Sequence, residues 1–490
     1  MSKAEYRQLT FAFADSPQGD GPAASTDLSV GKAWLALTAE VKEVTDSAAR
    51  TVDTDRLLES VASVSNLAQA LLNVARNKGA AGVDRRSVDE VVAAASQLLP
   101  YLRRELLAGT YRPGDIRRAW IPKPGGGQRA LGIPNVVDRW VQQAVLQVLQ
   151  PIFEPTFHAS SHGFRPGRGA QTAINEAKKY LTDGWNITVE IDLSQFFDLV
   201  HHQRLLSRLA QRVADGRVLK LVHRMLKAKV VLPDGTHVTT AEGTPQGGPL
   251  SPILSNIVLD ELDWELARRG LRFVRYADDI SVFVRSERAG QRVMDSIRQF
   301  IERRLRLTVN IEKSSISRPN DLTMLGFHLG MTQNGKVIVA PSTRTGKRLA
   351  ARIRELTPRM WGQSVAGCID KVNRYLRGWL GYFRLCTQEG SGMFGRFDAH
   401  LRRRIRALII RQKKRSRHLY RHLLARGVPG GLAAKTAFHR RGIWHRSASF
   451  GIHKAYPNAW FAERLMSLQN EWQRLHPPER VSYQQPLLFE

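Results

Sequence analysis

The stretch LRFVRYADDISVFVRS, residues 271–286, contains two short apolar runs separated by Ala277, Asp278 and Asp279. Aromatic and β-branched residues dominate both runs, which predicts two strands joined by a tight connection. Taken alone, an Asp-Asp pair is ordinary turn chemistry. Its meaning therefore depends on which other side chains the fold brings beside it.

A third carboxylate follows another apolar run. The segment NITVEIDLSQFF, residues 186–197, has the composition of a buried strand, and Asp192 ends its apolar part. If this strand neighbours the other two in one sheet, Asp192 lies close to Asp278. Carboxylates held together repel one another. The arrangement becomes favourable when Mg²⁺ binds, because Mg²⁺ takes a few carboxylates together with substrate phosphates. Two such ions about 4 Å apart stabilise the attacking and leaving oxygens of a phosphoryl transfer.

Several sequence blocks, in this order along the chain, resemble those of reverse transcriptases. Residues 276–279 (YADD) resemble the central motif, residues 192–197 the first catalytic block of the palm, and residues 243–252 (GTPQGGPLSP) the block that lines the nucleotide pocket. Four further features occur in the matching order: residues 121–134, 162–168, 310–314 and 325–327. The group that the chain resembles most is the bacterial group II intron-encoded reverse transcriptase/maturase family of the endonuclease-lacking type. Residues 375–383 (YLRGWLGYF) resemble that family's thumb, or maturase, domain.

The resemblance implies a role for each acidic residue. Asp192 and Asp278 would be direct ligands of two Mg²⁺ ions, with Mn²⁺ as a substitute, and Asp279 would assist. Lys313 lies where polymerases place a candidate proton donor for departing pyrophosphate. The implied reaction is the extension of a DNA primer on an RNA template with dNTPs.

The resemblance also implies a nucleotide pocket. Phe197 matches the bulky residue that closes against the sugar 2′ position and so selects deoxynucleotides, although spacing alone leaves Phe196 as an alternative. Gln246 lies in a Pro- and Gly-rich turn, where the backbone can approach a substrate closely. Lys123 and Arg129 flank the glycine turn of a predicted hairpin, where two cations can neutralise a triphosphate. The simpler interpretations are a core phenylalanine, a plain loop and solvated hairpin charges.

Charge is the strongest signal in the composition. The 490-residue chain has 74 Lys+Arg and 44 Asp+Glu, a net charge of +30. Residues 341–450 hold 26 basic and 4 acidic residues, with Trp, Tyr and His among them. This favours binding to nucleic acid over a solvated basic surface or an electrostatic membrane contact. The residues predicted to contact phosphates along one basic helical stretch are Arg402, Arg403, Arg404, Arg406, Lys413 and Lys414.

Apolar periodicity predicts helical structure over residues 57–107, 289–305 and 343–425 and a helix over 136–151 that ends at Pro151; residues 306–314 are a predicted strand. The order of predicted elements gives an α+β fold. We expect a right-hand polymerase with fingers and palm around a mainly antiparallel sheet, followed by a helical thumb and a small C-terminal DNA-binding region. The predicted boundaries are 1–55 for a weakly ordered N-terminal extension and 56–340 for the fingers and palm. Residues 341–415 form the predicted thumb/maturase domain, and residues 416–490 the DNA-binding region and tail.

Two further expectations come from cysteine usage and from the tail. Cys368 and Cys386 cannot form a disulfide framework, which favours a reducing compartment. With no cysteine after Cys386, the chain lacks the cysteine pairs of an endonuclease module, so we expect no endonuclease activity. Residues 485–489 (QPLLF) resemble the short peptides that dock bacterial replication proteins on the sliding clamp. No apolar run approaches the length that spans a membrane.

The main functional prediction is therefore an RNA-directed DNA polymerase encoded by a group II intron. It would also bind intron RNA as a splicing maturase, use a DNA target and primer, and support retrohoming. A cytoplasmic, nucleoid-associated bacterial location fits this function. One alternative is a domesticated relative in defence or DNA repair, and another is an RNA-binding maturase without polymerase activity. An RNA-dependent RNA polymerase is disfavoured by Phe197.

Overall fold

The computed structural model describes residues 54–122, 127–239, 242–244, 247–358, 362 and 364–477. The chain divides into two compact units, Met1–Ser317 and Arg318–Glu490. The sequence placed this boundary at 340/341. The difference arises because the strands after Arg318 pair with one another, and because the loop between two of them bonds to the helices that follow: Tyr382 donates to the Leu325 carbonyl at 3.0 Å.

The helices of the first unit surround two sheets. Within the described ranges its α-helices are α1 (Leu57–Val61), α2 (Val64–Arg76), α3 (Val88–Ala93), α4 (Ala95–Leu107), α5 (Val136–Phe153), α6 (Ala170–Thr182), α7 (His202–Ala210), α8 (Gly216–Leu226), α9 (Ser251–Arg268) and α10 (Glu287–Phe300). The strands are β1 (Ile116–Pro122), β2 (Gln128–Ile133), β3 (Ile187–Ile191), β4 (Val230–Val231), β5 (His237–Val238), β6 (Arg272–Tyr276), β7 (Asp279–Val284) and β8 (Ser315–Ser317).

The first sheet has the order β2-β1-β4-β5. Its β1–β2 hairpin is antiparallel, with Pro122 opposite Gln128, and only the short β1–β4 pairing is parallel. This confirms the predicted hairpin around the glycine turn. The second sheet, β6-β7-β3-β8, is antiparallel throughout. The fold is therefore α+β with mainly antiparallel sheets, as predicted.

The predicted helical region at residues 57–107 is confirmed by α1–α4. Its apolar periodicity buries Leu67, Leu71 and Leu102 in the same core as Trp140 of α5. Ser87 starts α3 with a capping box, which satisfies backbone N–H groups that have no partner within the helix.

Three predicted boundaries differ from the structure. Helix α5 continues to Phe153, because Pro151 lies in its last turn, where only one backbone hydrogen bond is lost. The helix predicted at 289–305 is α-helical to Phe300 and then a π-helix over Ile301–Leu305. The strand predicted at 306–314 is reduced to a single bridge at Val309, and pairing with β3 resumes only at β8.

The second unit combines a small sheet with helices. Its strands are β9 (Thr323–Met324), β10 (Phe327–Met331) and β11 (Val337–Pro341), in the antiparallel order β11-β10-β9. Its α-helices, in the part of the chain that the structure describes, are α11 (Thr343–Leu356), α12 (Val365–Phe383), α13 (Gly392–Gln412), α14 (Ser416–Ala425), α15 (Gly430–Ala437), α16 (Ile443–Arg446), α17 (Phe450–Ala455), α18 (Asn458–Ala462) and α19 (Leu468–Leu475). The helical prediction for residues 343–425 is confirmed.

Aromatic side chains form the centre of this second unit. Phe327 packs against Phe383 with ring centroids 4.8 Å apart, and Trp379 packs against both Phe383 and Phe394. Trp472 of α19 donates its indole N–H to the Cys386 carbonyl at 2.9 Å. Trp379 and Phe383 of the YLRGWLGYF stretch are thus core residues of this unit, whereas Tyr375 and Tyr382 are half-buried. No helix described here has the length and apolarity needed to cross a membrane.

Candidate active site

The β6–β7 hairpin carries the central acidic pair. Tyr276 pairs with Asp279, so Ala277 and Asp278 form a two-residue connection. Ala277 has φ of +57°, a left-handed conformation that a non-glycine residue adopts only when its surroundings hold it there. Asp278 therefore lies in the turn itself, and Asp279 begins β7.

Strand β3 brings Asp192 to the same end of the sheet. The antiparallel register pairs Ile191 with Ile280, so Asp192 follows directly opposite Asp279. The Asp192 backbone is also fixed to the segment before β8: its N–H donates to Ser314 Oγ at 3.2 Å, and its carbonyl accepts from the Asn310 N–H at 2.8 Å. The expectation that neighbouring strands bring the acidic residues together is confirmed by this register.

The carboxylates affect one another electrostatically. Surrounding protein desolvates Asp279, although the side chain itself is exposed, and together with the charges of Asp278, Asp192 and Glu190 this raises the pKa of Asp279 to about 7. Burial is also the largest cause that raises the pKa of Asp278, and Asp192 adds to it. The cluster therefore carries an energetic cost that a cation would relieve.

Lys313 partly offsets this negative charge. Its Nζ lies 3.6 Å from Asp192 Oδ2, and its side chain remains 65% exposed. Within the described ranges, no group of three or more His, Cys, Asp or Glu side chains is placed so that it could hold a metal ion. Ligands from a substrate would be needed to complete a Mg²⁺ site, which is the usual situation for this ion.

A buried arginine that the sequence analysis missed supports the acidic turn. Arg275 is fully buried and forms a bidentate ion pair with Asp263, with Nε–Oδ1 2.7 Å and Nη2–Oδ2 2.6 Å. Its Nη1 donates to the Ala277 carbonyl at 3.0 Å and to Asn256 Oδ1 at 2.9 Å, and its Nη2 donates to Ser161 Oγ at 2.7 Å. All five N–H donors of the guanidinium are thereby used.

The opposite side of the turn is held by the segment around Gly163. A Cβ at Gly163 would lie 2.2 Å from the Ala277 nitrogen, so only glycine fits there. The Gly163 carbonyl accepts from Asn256 Nδ2 at 3.0 Å, and the His162 N–H donates to the Arg275 carbonyl at 2.8 Å. The motif at residues 162–168 thus packs against the backbone of the acidic turn.

The predicted nucleotide-contacting residues are only partly described. Lys123 and Gln246 lie outside the described residues. Arg129 is an exposed residue of β2, and its charge lowers the pKa of Asp278, although burial raises that pKa overall. The hairpin and the pocket loop meet at Gly247, where a Cβ would lie 2.5 Å from the Gly132 carbonyl oxygen.

Phe197 lies in a short 3₁₀ helix, Phe196–Asp198, directly after the first acidic block. Its carbonyl accepts from the Thr244 N–H at 2.6 Å, which fixes it beside the pocket loop. Phe196 and Phe197 are both buried, with ring centroids 5.2 Å apart. Burial therefore does not distinguish the two candidates for the 2′ position.

Comparison with known proteins agrees with this geometry. Residues 121–329 match the reverse transcriptase (RNA-dependent DNA polymerase) family, and residues 346–427 match the group II intron maturase-specific domain. Protein YkfC of Escherichia coli (strain K12) is 33% identical over 360 residues, which cover 65% of this chain and 92% of YkfC. The chain belongs to the group II intron-encoded reverse transcriptase/maturase family. It is an RNA-directed DNA polymerase of that family.

Two further relatives cover smaller parts. The group II intron-encoded protein LtrA of Lactococcus lactis subsp. cremoris is 36% identical over 208 residues, which cover 42% of this chain and 34% of LtrA. The solved Cas6-RT-Cas1–Cas2 complex is 23% identical, with a TM-score of 0.33, and the match covers 50% of this chain and 42% of that chain. The chain thus spans most of YkfC but about a third of LtrA.

The maturase-specific match, residues 346–427, lies within the second unit. The predicted phosphate contacts in this second unit divide into two groups. Arg406 is 3% exposed, donates to the Tyr456 carbonyl at 2.8 and 3.1 Å, and lies over the Phe461 ring; burial lowers its pKa to about 10. The prediction that Arg406 contacts nucleic acid is wrong, because its guanidinium is used inside the protein.

The neighbouring arginines are also partly engaged. Arg404 donates to the Thr357 side chain at 2.5 Å and to its carbonyl at 2.6 Å, and Arg403 stacks on the Trp444 ring at 4.1 Å. Arg402 is half-buried on α13. These contacts occupy N–H donors of Arg403 and Arg404 that a phosphate would otherwise accept from.

Lys413 and Lys414 instead face open space. They lie at the C-terminal end of α13 and line a cavity of about 380 Å³. Its other lining residues are Gln412, His418, Arg421 and His422. The maturase domain therefore has a basic cavity that is wide enough for phosphate groups.

Proposed function

We propose that Asp192 and Asp278 hold two Mg²⁺ ions, with Mn²⁺ as a substitute and with Asp279 assisting, during primer extension on an RNA template. The proposal is supported by the strand register, which brings Asp192, Asp278 and Asp279 to one end of the sheet, and by the burial and neighbouring carboxylates that raise the pKa of Asp279. When bound, the ions supply Lewis-acid stabilisation of the attacking and leaving oxygens. The primer 3′-oxygen forms a bond to the α-phosphorus of a dNTP, and the bond to pyrophosphate breaks.

The chain's own residues orient the reactants. Arg129 together with Lys123 neutralises the triphosphate, and Gln246 contacts the incoming nucleotide. Phe197 closes the sugar side of the pocket, where an aromatic face leaves no room for a 2′-OH. Lys313 is proposed to donate a proton to departing pyrophosphate, because its ammonium reaches the edge of the acidic cluster.

We also propose that the maturase domain binds group II intron RNA through its basic surface. Lys413 and Lys414 at the 380 Å³ cavity are the proposed phosphate contacts, with Arg402, Arg403 and Arg404 contributing from α13. The RNA would perform splicing while the protein stabilises its fold. Residues 416–490 are proposed to bind the DNA target, which fits a cytoplasmic, nucleoid-associated bacterial protein that supports retrohoming.

The tail adds one further proposed partner. Residues 485–489 lie outside the described residues, and the proposal that they dock on a sliding clamp is supported by their sequence alone. Deletion of residues 484–490 tests it by clamp pull-down and by surface plasmon resonance. Unchanged clamp binding would remove this partner.

Primer extension tests the central proposal. A DNA primer on an RNA template should extend with dNTPs, poorly with NTPs, and only when Mg²⁺ or Mn²⁺ is present. Asp278→Asn should abolish extension and leave RNA binding within about twofold, whereas the control Asp295→Asn, on an exposed face of α10, should behave as wild type. If Asp278→Asn also abolished RNA binding, Asp278 would be structural and not catalytic.

A further inference from the structure

Three arginines converge on a single glutamate on another side of the palm. Glu261 of α9 is 13% exposed. Its carboxylate accepts a hydrogen bond from Arg304 Nε at 2.8 Å and forms an ion pair with Arg204 Nη2 at 3.5 Å. Arg208 completes the group with an ion pair to the same carboxylate. Arg204 and Arg208 lie one turn apart on α7, so three separate elements meet at this point.

The cluster has more positive charge than the fold needs for pairing. A fourth guanidinium, that of Arg306, acts electrostatically on Arg204. Arg208 acts in the same way on a second carboxylate, that of Asp260. Burial is the largest cause that lowers the pKa of Arg204, and repulsion by Arg304, Arg208 and Arg306 lowers it further, although Glu261 opposes this effect. Four guanidinium groups around two carboxylates leave an excess of positive charge at the surface.

The backbone presents this charge outward. Residues Ile301–Leu305 form a π-helix, a rare conformation that is often found at functional sites, and Arg306 follows with φ of +55°. Arg304 is 67% exposed even though it bonds to Glu261. The left-handed backbone conformation of Arg306 costs conformational free energy, and a purely structural ion pair does not require this conformation.

The cluster is separate from the catalytic centre. Asn256 of α9 faces the acidic turn and bonds to the Gly163 carbonyl. Glu261 lies five residues later, which corresponds to about 7.5 Å along the helix and about 140° around it. A ligand on the arginine cluster would therefore contact a different face of α9.

The shape of the surface indicates the class of ligand. A pocket of only about 20 Å³ lies among these side chains, with Val258, Leu305 and Leu307 in its lining. This is room for about one water molecule and not for a nucleotide or a metabolite. Guanidinium groups around a shallow apolar depression can bind phosphate groups that belong to the backbone of a larger molecule.

We propose that Arg204, Arg208 and Arg304 form a second nucleic-acid surface of the palm, which binds backbone phosphates of duplex RNA or DNA away from the catalytic centre. Glu261 holds the three guanidinium groups in position and competes with the phosphates for them. The inference rests on the proposed function only in taking nucleic acid as the ligand of this enzyme.

The test compares variants of the full-length protein by fluorescence anisotropy with a labelled RNA duplex and a DNA duplex of the same sequence. The test variant is Arg204→Gln/Arg304→Gln, which leaves Arg208 on Glu261. The matched control is Arg268→Gln/Arg298→Gln, which removes the same charge from surface ion pairs with Glu265 and Asp295. Glu261→Gln is the third variant, and thermal melting checks that each protein is folded.

The test variant should bind both duplexes about tenfold more weakly, and its slope of log affinity against log salt should fall by about two, one for each lost phosphate contact. The control variant should show a smaller change in affinity, and a smaller change in salt slope, than the test variant. Glu261→Gln should bind as tightly as wild type or up to about fivefold more tightly, because the competing carboxylate is gone. A loss confined to the RNA duplex or to the DNA duplex would identify the ligand.

Equal affinity and salt slope for the test variant and wild type would overturn the proposal, and the cluster would then be a scaffold or a contact for an acidic protein. Weaker binding by Glu261→Gln in a folded protein would also overturn it. Primer extension on a short primer–template is measured on the same proteins. Failure of wild type to extend would count against the proposed function and would leave this binding comparison interpretable.

Discussion

Replacement of Arg275 by methionine should both destabilise the palm and misplace the acidic turn. Arg275 and Asp263 are each fully buried, so the single variant leaves an uncompensated carboxylate in the core. Removing one partner of a buried ion pair costs about 3–5 kcal/mol. A typical domain is stable by about 5–15 kcal/mol, so Arg275→Met alone should lower the urea midpoint substantially and yield partly unfolded protein.

A second change separates stability from positioning. In Arg275→Met/Asp263→Leu no buried charge remains, and replacement of a buried pair by apolar residues of similar volume is often neutral or stabilising. We therefore expect the double variant to recover to within about 2 kcal/mol of wild type. The hydrogen bond from Arg275 to the Ala277 carbonyl is still missing, however, and that bond holds the turn that carries Asp278.

The assay is single-turnover extension of a DNA primer on an RNA template, together with urea unfolding of each variant. A misplacement of about 1 Å at a reacting group can cost about 100-fold in rate, so the double variant should be stable but about 100-fold slower. Its affinity for primer–template should remain near that of wild type. A double variant that regained full stability and also full rate would refute the positioning role of Arg275.

Four other outcomes follow from the structure. The pKa of Asp279 in the folded state is raised from its ordinary value near 4 to about 7, so its charge destabilises the fold fully above pH 7 and progressively less as the pH falls toward 4. Asp279→Asn should therefore raise Tm at pH 8 and have little effect on Tm at pH 4, which scanning fluorimetry would detect. Phe197→Val should increase ribonucleotide incorporation at least tenfold in extension assays with NTPs, and an unchanged NTP/dNTP ratio would shift the role to Phe196. Arg406→Gln should lower Tm, whereas Lys414→Gln should leave Tm within about 1 °C and weaken RNA binding with a salt slope smaller by about one. Gly163→Ala should reduce extension by at least tenfold, because its Cβ would collide with the Ala277 backbone.

The sequence was sufficient to locate the acidic cluster, because strand alternation and tight-turn composition are local signals. Asp192 follows a run of apolar strand residues, and Asp278 lies between two such runs, so their approach requires only that the strands pair. The neighbouring π-helix could not be predicted in this way. The apolar spacing around residues 289–305 is the same for a continuous α-helix and does not mark the change to a π-helix at Ile301.

The residues that support the acidic turn also could not be predicted from the sequence. Arg275 gains its role from partners on two other segments, Ser161 in the loop before Gly163 and both Asn256 and Asp263 on α9, and no local pattern predicts that convergence. In the printed sequence it is one basic residue among many. The motif at residues 162–168 gave a weak indication, because Gly163 marks a close backbone approach, but not what it approaches.

The burial of some arginines changes how the net charge of the chain should be interpreted. A count of basic residues treats every arginine as a phosphate ligand, yet Arg275 and Arg406 are buried and bonded within the protein. The number of phosphates that the chain can neutralise is therefore smaller than its basic composition suggests, and the slope of log affinity against log salt reports that smaller number. Exposed charge in excess of local pairing, as at the Arg204 and Arg304 cluster or at Lys414, is the quantity that predicts a nucleic-acid surface. Arg275 instead fixes the acidic turn through the Ala277 carbonyl, and Arg406 fixes the backbone at Tyr456 in the second unit.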